Sequence, residues 1–120
     1  MIVAGFGFRT SVSLASLESA LEEATGIITI DALATLDQKA HQLAPLASKL
    51  ALPLIAIAAK RLADQPTLTR SPASIAAYGT GSVAEAAALA ALAPKARLLA
   101  PRAFSSDRLA SCALAESLLP

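Results

Sequence analysis

The chain of 120 residues has no tryptophan, one cysteine, one histidine, one tyrosine and three phenylalanines, and each scarcity removes a class of function. Cys112 has no partner for an internal disulfide and suits a reducing compartment, so a cytoplasmic location is the expectation. With His41 the only histidine and Cys112 the only thiol, a tetrahedral site of nitrogen and sulfur ligands cannot be assembled from one chain. No bound metal and no cofactor are expected. His41, beside polar Gln42, reads as a surface helix residue; an axial contact to a metal carried inside a ligand is the alternative. A hydrolytic triad would need His41 as base for a serine, yet no nucleophile-elbow sequence exists. No glycine is followed by Lys-Ser or Lys-Thr, which excludes a Walker loop.

Charge of one sign is also lacking. Ten basic and nine acidic side chains give a net charge of +1, and the basic residues are scattered. Electrostatic binding along a nucleic-acid backbone is not expected. The longest apolar run, Leu50 to Ala59, has 10 residues and contains Pro53, whereas a membrane span needs about 20. MIVAGFGFRT has no basic stretch before its apolar residues, so no targeting signal and no membrane partner are expected.

What is present is small and aliphatic: 30 alanines and 20 leucines, with 55% of residues hydrophobic. A chain of this length makes one domain, residues 1–120, whose core comes from close approach of small-faced helices. The surplus of apolar residues suits buried strands and an oligomer interface, so a homo-oligomer is a possible state. Ile2 to Ala4 reads as a first strand running into Gly-Phe-Gly-Phe. Ser11 or Ser13 caps a helix with Leu14, Leu17, Leu21 and Ala24 on one face, stopped by Gly26. A strand is expected within Ile28 to Leu36, centred on Ala32 to Thr35, followed by a helix from about Ala40 with Leu43, Leu46, Ala47 and Leu50 on one side. Leu54 to Ile57 is a short buried strand and Lys60 to Ala63 a brief helix. Asp64 to Ser74 is the most loop-like stretch. Pro72 opens a short helix through Ala77, with a strand over Ile75 to Tyr78 as the alternative. Arg97 to Ala100 and Leu109 to Leu114 are further strands. This alternation predicts an α/β fold of three layers, α/β/α, around a mostly parallel sheet of about five strands.

The stretch YGTGSVAEAAALAAL, Tyr78 to Leu92, organises the rest. Gly79 and Gly81 can take positive φ and allow close approach to bare backbone. Ser82 is a natural N-cap, with Glu85 at the capping-box position, so a helix from Ser82 or Val83 points free N–H groups outward and attracts anions. An ordinary capped helix on a tight turn is the competing reading. Gly79, Gly81 and Ala84 also match G-x-G-x-x-A, but Leu98, Leu99 and Ala100 stand where a dinucleotide site needs an acid. Arg9, Lys39 and Arg102 each follow a strand end, where ligands gather in such sheets. Three cations around a helix N-terminus suit a ligand with several carboxylates.

Taken together, GFGFRTSVS at the start, LATLDQKA at Leu33 to Ala40, GTGSVAEAAAL at Gly79 to Leu89 and the pair Pro101 and Arg102 resemble the CobE/CbiG C-terminal family of cobalamin biosynthesis. The resemblance implies ligand-binding roles for Gly5, Gly7, Arg9, Lys39, Gly79, Gly81, Ser82, Val83, Glu85 and Arg102. Where the family often has Glu three residues after the lysine this chain has Gln42, which removes a carboxylate. Its late Pro-Lys is replaced by Pro101-Arg102. The family implies a precorrin or corrinoid ligand, an apolar macrocycle ringed by acetate and propionate carboxylates, and other enzymes of the pathway as partners. A carrier or accessory factor is the first expectation. An enzyme hydrolysing or rearranging a precorrin and a docking module for another pathway enzyme are the alternatives; no catalytic residue is assigned.

Overall fold

The computed structural model describes residues 1–118. Its central strand β1 (Ile2–Phe8) is flanked by β2 (Ala32–Leu36), then β3 (Leu54–Ile57) on one side and by β6 (Ala110–Ser117), then β4 (Ala96–Leu98) on the other. A short β5 (Ala103–Phe104) also pairs with β6. Pairing is parallel through β1, β2 and β3. β6 runs the opposite way to its neighbours β1, β4 and β5. The expected α/β architecture is present, as a mixed six-stranded sheet with its parallel part at the start of the chain.

The period-two alternation of β1 sends its residues to two cores. Ala4 and Phe6 meet Leu17, Ala20, Leu43 and Leu46 from α1 (Leu14–Thr25) and α2 (Ala40–Leu50). Val3 meets Ala86, Ala87 and Ala90 of α5 (Val83–Leu92) together with Leu62 of α3 (Ala59–Ala63). Helices therefore cover both faces. Burying one Leu or Phe fully is worth roughly 1.5–3 kcal/mol, so Phe6, Leu17, Leu33, Leu43 and Leu46, all buried, anchor the first face. The second face has few large side chains and relies instead on proximity. At Gly5 an added Cβ would lie 2.1 Å from the Ala84 carbonyl and 2.5 Å from the Ala88 nitrogen. The glycine in the strand and the alanines in the helix are one device: α5 lies directly against the sheet backbone.

Boundaries follow local chemistry. Ser13 Oγ accepts from Ser16 N–H and opens α1, choosing Ser13 over Ser11 as cap. Residues 27–31 precede β2 without joining the sheet as a strand. Ser71 caps α4 (Pro72–Tyr78), a helix with proline at its first position and Gly79 at φ +70° as its C-cap, which resolves the helix-or-strand question in favour of helix. No residue of α4 is buried. No single helix among the described residues is long and apolar enough to cross a membrane.

Candidate functional site

An open cavity of about 700 Å³ lies where β1, β2 and β5 end and β6 begins. Gly7 and Ser111, cross-strand partners, line its inner end, with Ser111 Oγ donating to the Gly7 carbonyl at 3.2 Å. Val83, the first residue of α5, lines it too. Around the opening stand Arg9, Lys39, Arg102 and Arg108, with α4 forming a wall through Ser71, Ser74 and Tyr78. No carboxylate lines the cavity, and none of the four cations belongs to an ion pair among the described residues.

Each cation is placed by a different element. Lys39 closes a short 3-10 turn after β2, and its ammonium donates to the Phe8 carbonyl at 3.1 Å while lying 5.4 Å from the Phe8 ring centre. Gln42 Nε2 donates to the Thr10 carbonyl at 2.8 Å, fixing the chain just beyond Arg9. A carboxylate at position 42 could not donate, so the departure from the family motif has a structural use here. Arg102 approaches the Phe104 ring to 5.0 Å and Arg108 the same ring to 4.2 Å.

Of the residues singled out in the sequence, Gly7, Arg9, Lys39, Val83 and Arg102 come together around this cavity, whereas Gly5, Gly79, Gly81, Ser82 and Glu85 do not line it. Gly5 is covered by α5, as described above. Gly79 takes the positive φ, but as the end of α4. Gly81 does not adopt a positive φ; it is buried against the chain's own loop, where a Cβ would meet the Thr69 carbonyl at 2.3 Å and Thr67 Oγ1 at 2.6 Å. Ser82 is the N-cap, its Oγ accepting from Glu85 N–H at 3.2 Å.

Glu85 departs furthest from the capping-box expectation. Fully buried, its carboxylate accepts from Leu68 N–H, Thr69 N–H, Thr69 Oγ1 and Arg102 N–H at 2.7–2.9 Å. It is an internal clasp that ties residues 68–69 and the backbone of Arg102 to α5. Its link to the cavity is therefore indirect, through the placement of Arg102.

Sequence reasoning did not single out Arg108, Ser74 or Ser111. Ser74 has an enclosed hydroxyl without a hydrogen-bond partner among the described residues. Arg108 sits in the tight turn between β5 and β6 at φ +61°, and an arginine has no local signal for such a place. His41 is exposed on α2 and lines no part of the cavity. Cys112 is buried in the sheet, and burial pushes its thiol far up, leaving it inert.

A family model described as cobalamin synthesis G C-terminus matches residues 2–115. A search of curated proteins returned no match. Among solved structures, the chain is similar to CobE, described as a protein from the cobalamin (vitamin B12) biosynthetic pathway: 36% identity, TM-score 0.86, covering 98% of this chain and 91% of that one. It is similar also to the cobalamin biosynthesis protein chiG from Agrobacterium tumefaciens str. C58, at 33% identity and TM-score 0.73, covering 98% of this chain and 99% of that one. A cobalamin biosynthesis protein G homolog from Sulfolobus solfataricus shares the fold, with TM-score 0.73 at 17% identity over 95% of this chain and 36% of that one.

Proposed function

The chain belongs to the cobalamin synthesis G C-terminal family, and from that premise we propose that it binds a polycarboxylate corrinoid or precorrin intermediate as a carrier or accessory factor of the pathway. The observation that carries this reading is the set of four cations, Arg9, Lys39, Arg102 and Arg108, around one cavity that no carboxylate among the described residues lines. Like charges gathered without counter-charge repel one another, and a ligand bearing several carboxylates turns that cost into attraction. The aromatic and aliphatic lining, Phe8, Tyr78, Val83, Phe104 and Leu109, suits the apolar ring that carries those carboxylates.

Binding is favoured over catalysis because no histidine, cysteine, aspartate or glutamate lines the cavity. Of the other side chains that can move a proton, Lys39 and Tyr78 line it, and the Lys39 ammonium is already engaged by the Phe8 carbonyl at 3.1 Å, which suits holding a carboxylate rather than abstracting a proton. Purified protein mixed with coloured pathway intermediates should co-elute with one of them and change its absorption spectrum without converting it. Turnover of the intermediate would replace the carrier with an enzyme, and co-elution only in the presence of another pathway enzyme would replace it with a docking module.

A further inference from the structure

The loop that joins β5 to β6 is built around a residue that local chemistry disfavours. Arg108 N–H donates to the Ser105 carbonyl at 2.9 Å, closing a turn over residues 105–108, and Arg108 itself then takes φ +61°. A hairpin turn of this kind ordinarily has glycine at the left-handed position. Several contacts hold the arginine there. Asp107 Oδ1 accepts from Ser105 Oγ at 2.6 Å and from Leu109 N–H at 3.0 Å, Asp107 Oδ2 accepts from Ser16 Oγ, and Ser106 N–H donates to Ser19 Oγ of α1 at 3.1 Å. The guanidinium packs 4.2 Å from the centre of Phe104, the ring that Arg102 also approaches. Asp107 is engaged by those donors, so the two guanidinium groups share a ring and have no ion-pair partner among the described residues.

We propose that Arg102 and Arg108 form a two-guanidinium subsite that grips neighbouring carboxylate arms on one edge of the ligand, with Arg108 as the specificity-determining residue. This rests on the polycarboxylate reading of the cavity and deepens it by assigning recognition of adjacent acetate and propionate arms to these two residues. Planar guanidinium groups bind carboxylates bidentately, and the shared ring orients both while leaving their N–H edges for the ligand. The disfavoured backbone at residue 108 is the cost of presenting that group.

The test is fluorescence titration with two porphyrin probes. Uroporphyrin has an acetate beside a propionate on each pyrrole ring; coproporphyrin has a methyl group in place of each acetate. Wild type should prefer uroporphyrin. Arg108→Gly should raise the thermal midpoint, by relieving the backbone, and weaken uroporphyrin binding about tenfold or more while changing coproporphyrin binding much less. Arg108→Lys, keeping charge without the planar fork, should also lose most of the preference, and Arg97→Ala on β4 should bind as wild type. Unchanged uroporphyrin affinity in Arg108→Gly, or an equal loss with both probes, overturns the subsite while leaving the cavity reading standing. Failure of the wild type to bind either probe overturns both.

Discussion

At Gly5 the strand has no room for a side chain. The nearest atoms to an added Cβ are the backbone carbonyl of Ala84 and nitrogen of Ala88, which cannot rotate away. Gly5→Ala should cost on the order of 1–3 kcal/mol or more by forcing α5 off the sheet, measured by denaturant unfolding; a change below about 0.5 kcal/mol, the size of an ordinary surface substitution, would contradict the packing described. Gly81→Ala should behave in the same way, because its neighbours are the chain's own Thr67 and Thr69. Glu85→Gln keeps the shape of the clasp but turns a donor toward N–H groups that already donate. With hydrogen bonds to a charged acceptor worth roughly 1.5–3 kcal/mol each, a loss of about 2–3 kcal/mol is expected. Faster hydrogen exchange at Leu68, Thr69 and Arg102 would accompany it, and unaltered exchange there would show the clasp to be dispensable. These roles were the least legible in the sequence. Gly5, Gly81 and Glu85 stood in motifs, and a motif does not say whether a glycine admits a ligand or another piece of the same chain.

At the scale of elements, local signals located the first two helices, α5 and the strands from β1 to β3: α1 and α2 carry an apolar helical period, Ser13 and Ser82 cap α1 and α5, and each strand is a short apolar run bounded by turns. Ser82 and Val83 open α5 where a serine before an alanine-rich run predicts. The two-residue β5 and the turn after it were not legible, since their order comes from pairing with β6 and from Ser16 and Ser19 on α1, which are distant in sequence. That turn has a pH signature. Hydrogen bonds from Ser105, then Ser16, then Leu109 N–H hold the Asp107 carboxyl below the usual carboxylate range. Its ionised form therefore favours the folded state above the ordinary aspartate value of about 4, and that contribution is lost as pH falls through the lower folded value. The gap in thermal midpoint between wild type and Asp107→Asn should be widest near neutral pH and close progressively below about pH 4. A gap that stayed constant down to acid pH would mean that shape, not charge, fixes the turn.

At the scale of the molecule, the cavity exists because β6 inserts antiparallel beside β1, so that its start, with the Arg108 loop, meets the ends of β1 and β2. Placing cations after strand ends was enough to bring Arg9 and Lys39 to one opening; Arg102 reaches it from just before β5, not from the end of the strand expected over Arg97 to Ala100, and Arg108 required the β5 to β6 hairpin that the sequence hid. Combined replacement of Arg9, Lys39 and Arg102 by alanine should weaken binding of a polycarboxylate tetrapyrrole by well over tenfold, from contacts of about 1.5–3 kcal/mol each when desolvated. Wild-type affinity should fall as salt rises. Lys49, paired with Glu18 on the helical face at 2.7 Å, should be replaceable without effect on binding. The most direct measurement is backbone amide NMR during titration with uroporphyrin. The account predicts shifts concentrated at Gly7, Arg9, Lys39, Tyr78, Val83 and Arg108, and little change at Ile27, Ile28 or Lys49. Perturbation centred on those last residues, or no perturbation at saturating ligand, would contradict it.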